Sequence, residues 1–221
     1  MNNKLKTNII IIGAGGFARE VLWTIQDHNE IYHEFSVVGF LDDDKSLWGN
    51  TIDGIEVLGK IDLVFSQKEK IKCVIAIADS EIRKKIVKKL EKEKISFQTI
   101  IHPNVVYSKS SKIGKGVIIQ AGGIITVNVK ICNHVHINMD TTIAHDSVIQ
   151  DFVTMAPGVH VNGETTIQEG VFIGSGAVLQ QKLKIGKWAK IGAGTVLRTN
   201  VEEYSTYVGV PGKLKKTKER K

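Results

Sequence analysis

From residue 113 onward every sixth position is aliphatic or Met without a break: Ile113, Ile119, Ile125, Ile131, Ile137, Ile143, Ile149, Met155, Val161, Ile167, Ile173, Leu179, Ile185, Ile191 and Leu197. With about 45% of an ordinary chain hydrophobic, such a run in a chosen register is expected on the order of once in a hundred thousand. A second register, four residues later, is small or β-branched at nearly every turn, as at Val117, Val135, Thr141, Ser147, Val153, Thr165, Ala177 and Thr195. Period six fits neither a helix nor an alternating strand. Each unit therefore reads as one short strand plus a corner, and three units as one coil of a parallel β-helix of about five coils. Gly and Asn suit the corners, at Gly114, Gly116, Gly122, Gly123, Asn128, Asn133, Gly158, Gly163, Gly170, Gly174, Gly176, Gly186, Gly192 and Gly194. The pattern runs back weakly through Tyr107 to Ile101, which predicts an irregular capping coil over 101–112. No unit lengthens before residue 202, so any ligand must use the outer faces, corners or ends of this prism.

The first hundred residues keep a different rhythm. Asn8–Ile12 is an apolar run entering Gly13-Ala14-Gly15-Gly16-Phe17-Ala18-Arg19-Glu20, after which Val21, Leu22 and Ile25 continue at helical spacing. A glycine turn between strand and helix points backbone N–H groups and a positive helix end at its guest, usually a phosphate. A second strand, Ser36–Leu41, ends in Asp42-Asp43-Asp44; a polar, glycine-containing stretch follows, then a buried strand over Lys72–Ala78 and a charged amphipathic helix over Glu81–Lys94. This predicts a Rossmann-like α/β domain over 1–100 and a β-helix over 101–221. The first is too short for a complete dinucleotide-binding domain, so a mononucleotide or nucleotide-sugar is the better guest. A β-helix follows instead of a substrate domain, which argues against a dehydrogenase.

At 221 residues the chain has room for two such domains, and no apolar run reaches membrane-spanning length. The polar start, Met1–Thr7, lacks the apolar core of a secretory signal, so the expected location is the cytoplasm, with no membrane insertion. Cys73 and Cys132 sit in apolar strand contexts and read as reduced core thiols. The net charge of +7 is concentrated partly in Lys213, Lys215, Lys216, Lys218, Arg220 and Lys221. Such a balance favours phosphorylated small molecules, nucleic acid or acidic lipid; without interleaved aromatics, the tail reads as a solvated, frayed end.

Groups able to exchange protons near neutral pH are few in the repeats. His145-Asp146 falls at a corner, where side chains reach outward, and a carboxylate beside an imidazole raises its basicity and fixes its tautomer. A general base of this kind contributes about 10² to 10⁴ in rate. His102, His134, His136 and His160 are rival bases, and a solvated surface pair is the bland alternative. His134 and His136 alternate but lack a third ligand, so no metal is expected, and no nucleophile stands beside a base. Direct transfer from an activated donor to an acceptor is chemistry that needs only one such base.

The glycine turn Gly13–Gly16, Phe40-Leu41-Asp42-Asp43, Ile75-Ala76-Ile77-Ala78-Asp79, Ile143-Ala144-His145-Asp146 within hexapeptide repeats, and the closing Tyr207-Val208-Gly209-Val210-Pro211 together resemble the NeuD/PglD family of sugar acyltransferases. The resemblance spans nearly the whole chain and implies a left-handed β-helix, a hand that the general preference of parallel crossovers would not suggest. It implies acetyl-CoA as donor and, as acceptor, the amino group of a nucleotide-linked 4-amino-4,6-dideoxy sugar for surface glycan synthesis. Sialic acid O-acetylation and a non-catalytic nucleotide-sugar-binding protein are the alternatives. His145 becomes the base, Asp146 its partner where many relatives have Glu, and Asn138 an active-site residue. Gly13, Gly15, Gly16, Phe17 and Ala78 would meet the nucleotide-sugar, with its base near Asp42 and Asp43. Acetyl-CoA would meet Thr154, where PglD has His, and Gly163, Gly174, Ser175, Gly209 and Pro211, with the Gly163 N–H facing the thioester oxyanion. The resemblance further implies a homotrimer with active sites between subunits, and no nucleic-acid partner.

Overall fold

A computed structural model describes residues 6–67 and 70–217 and divides into two compact units between Pro103 and Asn104. Lys218, Arg220 and Lys221, counted above in the basic tail, lie outside the described residues, as do Met1–Leu5 of the polar start.

In the first unit, β1 (Thr7–Ile12) carries four consecutive isoleucines, Ile9 to Ile12, buried on both faces as a central parallel strand requires. It leads through Gly13–Gly15 into α1 (Gly16–Tyr32), whose Ala18, Val21, Leu22 and Ile25 form the buried stripe. Next come β2 (Phe35–Leu41), β3 (Thr51–Ile52), β4 (Ile55–Gly59), β5 (Lys72–Ile75) and α2 (Ser80–Lys92). The sheet order is β3-β4-β2-β1-β5, parallel except for β3. Two expectations change here. The polar stretch after β2 is no plain loop: Asp53 and Gly54 both take positive φ and close a hairpin whose second strand joins β2. The strand expected to reach Ala78 stops at Ile75, because Asp79 caps α2 by accepting from the Ile82 N–H and the backbone before it must turn.

The second unit is a three-sided parallel β-helix. Two-residue strands recur every six residues and stack on the strand eighteen residues away: Val106–Tyr107, Ile124–Ile125, Thr142–Ile143, His160–Val161, Val178–Leu179 and Val196–Leu197 form the first face. Lys112–Ile113 begins the second face and Ile118–Ile119 precedes His136–Ile137, Thr154–Met155 and Phe172–Ile173 on the third. From Ile119 onward the second residue of each two-residue strand points inward, so the aliphatic register from Ile119 to Leu197 is fully buried, and the small register fills the corners. The coil over 101–112, expected to be irregular, keeps the regular spacing, with Val106–Tyr107 in register with Ile124–Ile125.

Every sixth residue from Gly116 to Gly194 has positive φ, and many are not glycine: Asn128, His134, Asp140, Asp146, Phe152, Glu164, Lys182 and Trp188. Backbone bonds between coils hold these left-handed corners, overriding the cost of a Cβ. Gly114, Gly163, Gly174, Gly186 and Gly192, expected to supply left-handed backbone, do not have positive φ. They answer to close approach: a Cβ on Gly174 would lie 2.5 Å from the Ala193 nitrogen. The end also differs from expectation, since Lys213–Thr217 is not frayed but pairs antiparallel with Ser205–Val208. Lys213, Lys215 and Lys216 on that strand remain exposed.

Candidate active site

His145 and Asp146 stand at the corner between the first and second faces. Along a strand their side chains would point to opposite sides; the left-handed backbone at Asp146 (φ 58°) breaks that alternation and sets Asp146 Oδ2 2.9 Å from His145 Nδ1. Both side chains are half-exposed, at 51% and 50%. Hydrogen bonds from His145 and from Asn128 Nδ2, the latter 3.2 Å from Oδ1, hold the Asp146 carboxyl below its ordinary range. An ionised carboxylate only accepts, so Nδ1 carries a proton, and in the neutral ring the lone pair is on Nε2.

Gly163, one coil further on, explains where the ring lies. A Cβ there would sit 2.6 Å from both Cε1 and Nε2 of His145, so the imidazole rests over a position that must lack a side chain. At another corner of the prism the backbone N–H at the same place in the six-residue unit is taken by a side chain, as Lys115 donates to Asn133 Oδ1 and Asn133 to Asp151 Oδ1. The Gly163 N–H donates to no group among the described residues. A base and a spare N–H donor thus share one corner.

The rival histidines are placed differently. His102 is buried against Asp27 in the first unit, its Nε2 2.9 Å from Oδ2. His134 is buried and stacks on Phe152, and His136 is buried on the third face. His160 is exposed and engages Thr142 Oγ1 at 2.9 Å, without a carboxylate. Among the described residues no group of three or more His, Cys, Asp or Glu is arranged to hold a metal. Cys73 is buried, which pushes its thiol up to about 12; Cys132, expected in the core, is half-buried at a corner.

The remaining expected positions disperse. Asn138 is buried at the corner between the third and first faces and donates from Nδ2 to the Met155 carbonyl at 2.7 Å. The strand Thr142–Ile143 therefore separates it from His145 within one chain. Gly174 stands in the corner column of Asn138 with exposed Ser175 next to it, and Thr154 is buried on the third face. Gly209 and Pro211 are exposed in the turn of the closing hairpin.

In the first unit, Gly13 (φ 101°) lies where a Cβ would meet the Ala76 carbonyl at 2.9 Å, whereas the space around Gly15 is open. The start of α1 carries no side-chain cap, and Arg19, not singled out from sequence, brings Nη2 to 3.9 Å from a Cβ on Gly16. Phe17 is half-buried in that first turn. Asp42 is committed to the turn itself: Oδ2 accepts from the Ala14 N–H and Oδ1 from the Asp44 N–H, each at 2.9 Å. Exposed Asp43 accepts from Ile61 N–H through Oδ1 at 3.0 Å. The buried Arg83 guanidinium donates to the carbonyls of Ile77 and Ala78 at 2.7 and 3.0 Å and fixes the segment beside the turn.

Residues 8–90 match the PglD N-terminal domain and residues 164–199 the bacterial transferase hexapeptide family of six repeats. GDP-perosamine N-acetyltransferase of Escherichia coli O157:H7 is 34% identical over 173 residues, covering 77% of each chain. WeeI from Acinetobacter baumannii AYE superposes with a TM-score of 0.85 at 34% identity, covering 95% of this chain and 100% of that one. A mutant perosamine N-acetyltransferase from Caulobacter crescentus, solved with CoA and GDP-perosamine, gives 0.88 at 26% identity, covering 96% and 98%. The acetyltransferase domain of PglB from Neisseria gonorrhoeae FA1090 with acetyl coenzyme A gives 0.87 at 26% identity over 95% and 99%. The architecture is thus an α/β unit followed by a left-handed parallel β-helix, and the chain belongs to the NeuD/PglD-like family of hexapeptide-repeat sugar acyltransferases.

Proposed function

We propose that this protein transfers acetyl from acetyl-CoA to the amino group of a nucleotide-linked 4-amino-4,6-dideoxy sugar, a step of surface glycan synthesis in the cytoplasm. The observation that carries the reading is the His145 imidazole, tied to Asp146 through Nδ1 and seated over Gly163. The amine nitrogen attacks the thioester carbonyl and Nε2 of His145 accepts the proton it sheds. The tetrahedral oxyanion takes a hydrogen bond from the Gly163 N–H, a donor worth about 10² to 10³ in rate. Collapse breaks the C–S bond, and the proton on His145 passes to the departing CoA thiolate. The products are the amide and free CoA. On the cofactor side no metal is called for, since the base and the N–H donor supply both proton transfer and charge stabilisation.

The first unit serves as the nucleotide-sugar site. The start of α1 at Gly15, Gly16 and Phe17, with open space around Gly15 and the Arg19 guanidinium beside Gly16, suits the phosphates. Asp43 is better placed than Asp42 to accept from the nucleoside, because both Asp42 oxygens already hold the glycine turn. The working unit is a homotrimer with acetyl-CoA between prisms, reaching Gly174, Ser175 and Thr154 on one chain and Gly209, Pro211, Lys213 and Lys215 at the hairpin. Two observations support this assembly. Asn138 and His145 occupy different corners of one chain. The first face and its corner also expose Val106 at 65%, Ile124 at 44% and Val127 at 51%, apolar area that a second copy would cover.

The test is release of free thiol from acetyl-CoA against a panel of GDP-, UDP- and dTDP-linked 4-amino sugars and free sialic acids. Turnover with one nucleotide amino sugar is expected. Turnover with sialic acid alone would replace N- by O-acetylation, and binding without thiol release on every acceptor would make the protein a non-catalytic receptor.

A further inference from the structure

The carboxylate that orients His145 is itself held from the coil before it. Asn128 precedes Asp146 by one coil in the same left-handed corner column, with φ 57° against 58°. Its backbone N–H donates to Ser110 Oγ at 2.9 Å, and Ser110 Oγ lies 2.9 Å from Ser108 Oγ. With the backbone so anchored, Asn128 Nδ2 reaches Asp146 Oδ1 at 3.2 Å, leaving Oδ2 for His145 Nδ1. The next residues in the column, Glu164 and Lys182, pair with each other at 3.6 Å.

Resting on the acetyl-transfer reading, we infer that Asn128 is a positioning residue for the reaction: it clamps one oxygen of Asp146 so that the other keeps the His145 ring in one tautomer and one orientation. The fold does not need this bond. Other residues of left-handed corner columns are glycines with no side chain to offer, such as Gly116, Gly158 and Gly176, and their coils stack by the same backbone bonds. An amide suits the task where a carboxylate would not, since Asn tolerates left-handed backbone and supplies a donor without charge. Ordering an imidazole through a hydrogen-bonded partner is a recurrent means of fixing which nitrogen acts as base.

Two substitutions separate this role from a structural one. Asn128→Gly keeps the left-handed backbone and removes the donor; Asn128→Asp keeps the shape and sets a second carboxylate against Asp146. His145 at its own corner and residue 128 in the coil before bond Asp146, and Glu164, paired with Lys182, follows it in the column. In Asn128→Gly, loss of a donor to the ionised form raises the Asp146 pKa toward its ordinary value; in Asn128→Asp, charge repulsion raises it further. Carbon-13 NMR of the Asp146 carboxyl reads this without any substrate. For turnover, kcat is expected to fall about three- to tenfold in Asn128→Gly and further in Asn128→Asp, with KM for both substrates unchanged. The acidic limb of kcat/KM moves to higher pH in the same order. An Asp146 titration that does not move, or wild-type kcat and pH profile in Asn128→Gly, would overturn the inference. Absence of thiol release by the wild-type protein would instead refute acetyl transfer, while the carboxyl titration still decides whether Asn128 holds Asp146.

Discussion

At the scale of single residues, the proposed site consists of neighbours in space that the chain separates by one coil. Asn128, Asp146 and Glu164 are eighteen residues apart in one column, and Gly163 lies eighteen after His145. His145-Asp146 was legible because the two residues are adjacent in the chain. Asn128 and the seat that Gly163 gives the ring could be found only by adding one coil to either side; the sequence points to Gly163 as a corner glycine and, through the resemblance, as an N–H donor, not as the floor under the imidazole. The glycine's φ is not positive, so Gly163→Ala leaves the corner backbone unstrained while its methyl displaces the imidazole from Cε1 and Nε2. We expect kcat to fall about a hundredfold, as a displacement of roughly 1 Å at a reacting group can cost, with the thermal transition little changed. Steady-state kinetics paired with circular-dichroism melting checks this; undiminished kcat would mean that the ring does not work from this seat.

At the scale of elements, the prism is the part the sequence writes most plainly, because a two-residue strand has one inward side chain and stacking admits only residues that fit between like neighbours. Ile149 illustrates it, fully buried between Ile131 and Ile167 in register. Truncation to Ala leaves a void that both neighbouring coils share, and rigid stacking limits collapse. The expected loss is about 2 to 5 kcal/mol, measured by urea unfolding at fixed protein concentration. A loss near zero would contradict a tightly stacked interior. Elements held by longer-range pairing were harder to read. β4 is short and follows polar residues, and only the Asp53-Gly54 pair marks its hairpin. The basic strand Lys213–Thr217 has the composition of a solvated end, yet the exposed edge of Ser205–Val208 supplies backbone partners that charge does not abolish.

At the scale of the whole molecule, two rhythms in one chain correspond to the two tasks proposed, one unit presenting a glycine turn suited to phosphate and the other a corner suited to proton transfer. Among the described residues no helix is long and apolar enough to cross a membrane. The proposed assembly of copies has no signature in the periodicity, because an exposed Val or Ile on a prism face obeys the same six-residue spacing as a buried one; the separation of Asn138 from His145 in one chain is what argues for it. Everything in the proposed chemistry passes through one imidazole, so the most direct measurement is the initial rate of thiol release by His145→Ala, with sedimentation velocity checking that the state of assembly matches that of the unaltered protein. A fall of at least about a hundredfold is expected for the loss of a general base. A rate close to that of the unaltered protein would contradict the account and move the base elsewhere.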